Sequence, residues 1–291
     1  MKPFGYHRPG SLQEALGLLG ELGEGAVPVA GATDVWARIR GGKLAPEALV
    51  SLRGVPELEG WRPTGEGGLW IGACTPHAVL EDAPWVGARY PALQQACGAV
   101  GSRQVRNVGT VGGNVCNAAP SADSAVALLL YDAVCHLAGP RAARRTVPLE
   151  AFFTGPGRTA LEPGELLVGL ELAAPGPREH AGYWKVTRRK GVELPLLGVG
   201  VRVGLDEEGR VELARVALGV AGPTPVRAPE AEAVLEGERL TPELARQAGE
   251  VAAARARVRD SWRGQAWYRR QMIRIGIERV LHHAAALPEA Q

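Results

Sequence analysis

The chain has 291 residues, 46% of them hydrophobic and 22% charged, and a net charge of +2. That is an ordinary globular composition, with room for two domains or one large core. The near-neutral balance excludes the concentrated basic face of a nucleic-acid binder, and no apolar run reaches the roughly 18 residues of a membrane helix. The opening "MKPFGYHRPG" has no apolar stretch of the signal-peptide kind, so a cytoplasmic location is expected. Lysine stands only at positions 2, 43, 185 and 190, the other cations being arginine. Cys74, Cys97, Cys116 and Cys135 lie 23, 19 and 19 residues apart, without the close pairs of a metal site, and read as buried free thiols.

Ser11 is placed to cap a helix carrying Leu12, Ala15, Leu16, Leu19 and Leu22 on one side. "AVPVA" (26–30) reads as a buried strand, "VWARIR" as a helix closed by Gly41 and Gly42, and "EALVSL" (47–52) as a further strand. Residues 1–55 thus form a first small α/β lobe. Strands at "LEGWR" (58–62) and "GGLWIGAC" (67–74) and helices around "TPHAVLED" and "PALQQACGAV" open a second lobe, 56–175. In it, "SADSAVALLLYDA" reads as a buried helix capped by its serines and Asp123, and "AVCHLAG" and "GELLVGLELAAP" as strands. From 176 to 291 the pattern changes to strands at 182–189, 196–205 and 210–222, then helices at about 226–236, 241–256 and 264–283. The last of these should turn Tyr268, Met272, Ile275 and Ile277 inward. The expected fold class is α+β: two α/β lobes and a C-terminal antiparallel sheet backed by helices.

Two glycine stretches stand out. "GTVGGNVCNAAPSAD" (109–123) matches neither the dinucleotide nor the P-loop fingerprint. Gly112 and Gly113 would let backbone N–H groups approach a ligand, with Thr110 and Asn114 as polar neighbours, forming an anion-binding nest. "AGATD" (30–34) offers the same chemistry between a buried strand and a helix N-terminus. Two tight turns remain the plain alternative.

"VPVAGATDV", "QVRNVGTVGGNVCNAAPSAD", and "ELLVGLEL" followed by "GYWKVTRRKG" resemble the flavoprotein subunit of molybdenum hydroxylases, the family of xanthine dehydrogenase, carbon monoxide dehydrogenase and 4-hydroxybenzoyl-CoA reductase. The resemblance runs from "FGYHRPGSLQEALGLL" to "SWRGQAWYRRQMIRIGIERVL", nearly the whole chain. It implies a two-lobed FAD-binding domain of the vanillyl-alcohol-oxidase type and a C-terminal domain of the carbon monoxide dehydrogenase flavoprotein type. It further implies that Val29, Ala30, Gly31, Ala32, Thr33, Asp34 and Val35, with Thr110, Val111, Gly112, Gly113 and Asn114, wrap the FAD pyrophosphate. Asp123 would bond sugar hydroxyls, Leu167 and Lys185 would reach the flavin or adenine portions, and Leu194 would lie against the isoalloxazine face. Ala32 departs from the family's usual glycine. The implied partners are a small subunit with two [2Fe–2S] clusters and a large molybdenum subunit. Electrons would run from molybdenum through the clusters and FAD to NAD, quinone or oxygen. No side chain here need act as acid, base or nucleophile, and no metal site is expected in this chain.

Other readings remain open from the residues themselves. Asp123 could only cap its helix, Lys185 could belong to a solvated basic face with Arg188, Arg189 and Lys190, and Leu194 could start a core strand. His7 and His77 could carry a covalent flavin, although a structural role is the default for each. A free-standing flavin oxidase lacks an added catalytic constellation, and the intact Gly112, Gly113, Asn114 and Asp123 speak against a flavin-free scaffold.

Overall fold

In the computed structural model, which describes residues 2–65, 67–140 and 143–285, the strands form four sheets. The first is parallel, with β1 (Gly5–His7), β3 (Ala48–Ser51) and β2 (Ala26–Val29) side by side in that order. Parallel neighbours need crossovers, and helices α1 (Leu12–Leu22) and α2 (Thr33–Arg40) supply them. Ser11 caps α1 by accepting from the Glu14 N–H at 3.1 Å, and Leu12, Ala15, Leu16 and Leu19 are the residues it buries.

The second sheet is antiparallel, in the order β4 (Trp61–Pro63), β5 (Leu69–Gly72), β10 (Leu166–Leu172), β6 (Val134–Ala138), β7 (Arg144–Pro148). Between β5 and β6 the chain winds through α3 (His77–Glu81), α4 (Pro84–Arg89), α5 (Pro91–Gly98), α6 (Arg103–Val108), α7 (Val111–Cys116) and α8 (Asp123–Leu130). Every residue of α8 is buried, and its Val126, Leu128 and Leu130 lie in the largest apolar cluster. Each such side chain is worth about 1.5–3 kcal/mol on transfer from water. A short helix, α9 (Leu149–Phe152), and a ribbon of β8 (Phe153–Gly155) and β9 (Arg158–Thr159) complete this lobe.

The third framework sheet runs β11 (Glu179–Val186), β12 (Leu197–Leu205), β13 (Val211–Gly219), β14 (Val226–Arg227), all antiparallel, followed by α10 (Pro229–Leu235), α11 (Pro242–Arg255) and α12 (Ala266–Ala284). β12 is buried on both faces. Glycines permit this: a Cβ at Gly200 would come 2.9 Å from Leu130 of α8, and one at Gly276 of α12 would come 2.8 Å from Val199. The sheet is therefore clamped between the central lobe and its own helices.

Several expected features differ. Ile277 is buried and Tyr268 and Met272 pack against the core as expected, but Ile275 is 38% exposed, and α12 also buries Arg269, Ile273, Gly276, Val280 and Leu281. Residues 226–227 are a strand, with α10 beginning only after them. Helix α8 has no side-chain cap. The glycine-bearing stretch 111–116 is helix, not turn.

Arg202 of β12 joins the central lobe to the C-terminal sheet. It is 6% exposed, donates to Glu179 Oε2 at 2.6 Å and to the Leu130 carbonyl at 3.0 Å, and lies 5.1 Å from the Tyr131 ring centre. Removing one member of a buried ion pair typically costs about 3–5 kcal/mol, because the other charge is stranded. Arg202→Ala is therefore expected to lower the urea-unfolding midpoint markedly. An unchanged midpoint would show that this contact does not hold the two parts together.

Candidate functional site

The first lobe, the central lobe and the C-terminal sheet face one another across a cleft of about 740 Å³, within the range of small-molecule and cofactor sites. Its first wall is the turn from β2 into α2. A Cβ at Gly31 would lie 2.0 Å from the Val108 carbonyl oxygen and 2.8 Å from Gly109 Cα, so only glycine fits where the two lobes touch. Ala32 follows with φ 59° and ψ 3°, a left-handed conformation that costs a residue with a Cβ roughly 1–2 kcal/mol. Helix α2 opens without a side-chain cap, and its first backbone bond runs from Trp36 N–H to Ala32 O at 2.8 Å. Among the described residues, the N–H groups of Thr33, Asp34 and Val35 find no acceptor. A helix start of this kind offers partial positive charge and free donors to an anion.

The second wall is α7, and here the nest reading fails. Val111 N–H donates to Thr75 O at 3.0 Å, Gly112 N–H to Ala73 O at 2.9 Å, and Asn114 N–H to Thr110 O at 3.0 Å. Gly113 N–H donates to the capping Thr110 Oγ1 at 3.1 Å. Each of these N–H groups is thus already bonded within the chain. The two glycines also differ from each other. A Cβ at Gly112 would come 2.5 Å from Ala73 O and 2.7 Å from Ala73 Cα, whereas one at Gly113 would meet only Thr110 Oγ1, at 2.8 Å. Gly112 is needed for packing, and Gly113 is exposed on the cleft wall. Asn114 Oδ1 accepts from Ser124 Oγ at 2.9 Å, tying α7 to α8, and Asn117 donates to Asp34 Oδ1 at 3.1 Å, tying α7 to α2.

Asp123 forms the floor. It is 5% exposed, and its Oδ1 accepts from Tyr183 Oη at 2.5 Å while Oδ2 accepts from Lys185 Nζ at 2.9 Å. Tyr183 and Lys185 are two residues apart on β11 and therefore share a face. Lys185 Nζ also donates to Ala99 O at 2.8 Å. Burial pushes the Asp123 carboxyl up, opposed by Lys185 and the Tyr183 hydroxyl, and burial holds the Tyr183 phenol well above its ordinary value. Neither the helix-cap role of Asp123 nor the solvated-face reading of Lys185 survives these contacts. Carboxylate oxygens have more lone pairs than these two donors use, so Asp123 keeps acceptor capacity toward the cleft.

The mouth is framed by residues 187–195 and 259–264. Leu194 is 48% exposed and lines the cleft, ahead of β12, so it is not a core residue. Two guanidinium groups approach the Trp262 ring, Arg188 at 5.5 Å and Arg263 at 4.6 Å from its centre. The buried Arg269 donates to Leu196 O at 3.1 Å and Ser261 Oγ at 2.8 Å, linking the two segments.

Of the residues expected at the site, Ala30, Gly31, Ala32, Thr33, Asp34, Val35, Thr110, Gly113, Asn114, Asp123, Lys185 and Leu194 line the cleft. Val29, Val111, Gly112 and Leu167 do not: their positions face the apolar cores or Ala73, one layer behind it. Sequence reasoning missed Tyr183, although its i, i+2 spacing from Lys185 was the available signal, and the Arg188–Trp262–Arg263 cluster, which carries none. His77, weighed as structural, also stands in the wall, while His7 does not.

Residues 2–175 match the FAD binding domain in molybdopterin dehydrogenase, and residues 182–284 match the CO dehydrogenase flavoprotein C-terminal domain. The chain belongs to the molybdopterin dehydrogenase FAD-binding family. It is 34% identical over 283 residues to the xanthine dehydrogenase FAD-binding subunit of Escherichia coli O157:H7, covering 97% of this chain and 96% of that one. It is 33% identical over 284 residues to the carbon monoxide dehydrogenase medium chain of Hydrogenophaga pseudoflava, covering 97% of each. A solved chain of the carbon monoxide dehydrogenase from the same organism superposes with a TM-score of 0.92 at 35% identity, covering 98% of this chain and 99% of that one. In this family member the cleft is shared by both matched segments, since Lys185, Leu194 and Trp262 come from the second.

The glycine contrast gives a paired prediction. Gly112→Ala should lower the melting temperature of the cofactor-free chain, an overpacking cost of about 1–3 kcal/mol. Gly113→Val, which meets only the Thr110 side chain, should lower that temperature less than Gly112→Ala but weaken FAD more, by crowding the cleft. Calorimetry and a flavin titration of both variants check this. Equal effects of the two on both measurements would contradict it.

Proposed function

We propose that this chain is the FAD-binding electron-transfer subunit of a molybdenum hydroxylase, working between the [2Fe–2S] clusters of a small partner subunit and an external acceptor such as NAD, quinone or oxygen. A large partner subunit would hold the molybdenum cofactor and the organic substrate. The observation that carries this reading is a cofactor-sized cleft lined both by an uncapped eight-residue helix start and by exposed aliphatic and aromatic side chains at its mouth. A ligand with a charged diphosphate in its middle and a flat apolar ring system at one end suits that polarity. When bound, FAD supplies chemistry that takes up electrons singly and passes them on singly or as hydride.

The chain's own residues bind and orient. The α2 N–H groups would meet the pyrophosphate, with the Thr110 hydroxyl and Asn114 opposite, and Asp123 would accept from a sugar hydroxyl. Leu194 would exclude water from the isoalloxazine face. Nothing in the wall is poised as a nucleophile: burial pushes the Cys116 thiol up to about 12, so it stays protonated near neutral pH. Four free cysteines, three of them buried, go with a reducing, cytoplasmic location.

Acid precipitation of the purified, FAD-loaded chain is expected to release the yellow colour into the supernatant, since no side chain is set to hold the flavin covalently. The same chain should be reduced by dithionite and reoxidised by an acceptor, yet turn over no purine, aldehyde or carbon monoxide. A yellow pellet would refute non-covalent binding, and substrate turnover by the isolated chain would refute the need for partners.

Leu194→Ala should keep FAD bound while changing severalfold the rate at which reduced flavin reacts with oxygen or NAD⁺, read by stopped flow. Unchanged rates with both acceptors would remove Leu194 from the flavin face.

A further inference from the structure

His77 presents an unusual combination: it lines the cleft, is 1% exposed, and its Nδ1 is buried without a hydrogen-bond partner. It is the first residue of α3, and its backbone N–H donates to Gly109 O at 3.0 Å. A methyl group at Gly109 would lie 3.8 Å from His77 Cδ2 and 3.8 Å from Thr33 Oγ1. Gly109, in the segment that leads into α7, is thus a common neighbour of the imidazole and of Thr33 at the open start of α2.

Burial, reinforced by Arg106, pushes the His77 pKa down to about 4, so the ring is neutral near pH 7 and carries a single N–H. An enclosed donor without an acceptor costs about 1–3 kcal/mol, and orphaned N–H groups are rarer than under-used acceptors. The proton consequently belongs on Nε2, leaving Nδ1 as the idle acceptor. No described residue pairs with Nε2, which, unlike Nδ1, is not a fully enclosed atom and so is open to the cleft that His77 lines. A buried polar ring with neither nitrogen engaged, set in the wall of a cofactor cleft, points to an acceptor from outside the chain.

We propose that the Nε2–H of His77 donates a hydrogen bond to the anionic, pyrophosphate end of FAD, beside the free N–H groups of α2. This rests on the FAD reading above and adds to it a neutral side-chain donor. The role is one of binding: His77 fixes the cofactor's phosphate end and takes no part in electron transfer. Neutrality suits the place, because an enclosed cation there would face Arg106.

The test uses the full cofactor-free chain, titrated with FAD, in three forms. His77→Gln carries an amide nitrogen near the Nε2 position, and His77→Leu fills the volume without a donor. We expect His77→Leu to weaken FAD by roughly tenfold or more and His77→Gln to stay within roughly threefold of wild type. Imidazole ¹⁵N–¹H spectra of histidine-labelled wild type should show the His77 Nε2–H resonance shift downfield and become protected from exchange on saturation with FAD. Equal FAD affinity in wild type and His77→Leu would overturn the proposal, as would an Nε2–H signal indifferent to FAD. The spectrum decides the matter if His77→Leu fails to fold. A wild-type chain that takes up no FAD would overturn the function reading itself, and is thereby told apart from a failure of this inference alone.

Discussion

Asp123, Lys185 and Tyr183 meet out of water at the seam between the central lobe and the C-terminal sheet, and the cleft takes its shape from that meeting. Desolvating a carboxylate and an ammonium costs several kcal/mol each, and their attraction offsets it only where the remaining hydrogen bonds are also made. Here they are: the ammonium has the Ala99 carbonyl as a second acceptor, and the carboxylate has the Tyr183 hydroxyl as a second donor. An apolar trio of the same volume could hold the seam equally well. What it could not do is leave spare lone pairs at the bottom of a polar cleft. The knot fixes α8 against β11 in one register, and through α8 it fixes Asn114 and the end of α7.

The cleft walls divide their tasks in a way that follows from where backbone hydrogen bonds are spent. At α7 the N–H groups of 111–114 are used to dock the helix on residues 73–75 and to close its own first turn. That docking allows a helix to form across adjacent glycines, each of which costs close to 1 kcal/mol relative to alanine in a helix. At α2 the opposite holds. The strand delivers the helix start to the cleft through a glycine that no other residue can replace, then through a strained alanine, and leaves the first turn's donors unspent. Strain and unspent donors at one place are a cost in the empty protein that a ligand relieves. The wall with donors to offer an anion is accordingly α2, with α7 as its counter-wall.

Much of this architecture could be read from the chain, and the exceptions have physical causes. The periodicity of Leu12 to Leu19 and the cap at Ser11 define α1 because local signals and tertiary packing agree there. The long apolar alternations of β12 and β13 were equally plain, as was the burial of α8. The stretch 110–114 misled because propensity favours turns at paired glycines, while the acceptors that make it helical, Ala73 and Thr75, lie far away in sequence. Ile275 misled for a related reason: α12 turns toward the sheet through Gly276, and small residues at a close contact give no hydrophobic signal. Leu167 was assigned to the cleft by resemblance alone. Its place on β10, opposite Leu137, puts it in the core behind the site.

The floor and the mouth of the cleft also differ in how firmly they are held. The floor is made of the buried α8 and the Asp123 knot, whose local opening would require unfolding of the central lobe, whereas α2 buries only Ile39. The mouth is made of two loops with Val192 53%, Leu194 48% and Trp262 76% exposed. It is tied chiefly by Arg269 beneath and by the Arg188–Trp262 contact above. Segments with few buried apolar contacts open at low free energy. A site that must retain a cofactor yet meet electron carriers at its surface needs this gradient. Changes of side chain at the mouth can therefore alter what the cleft presents to solvent without disturbing the buried Asp123 knot.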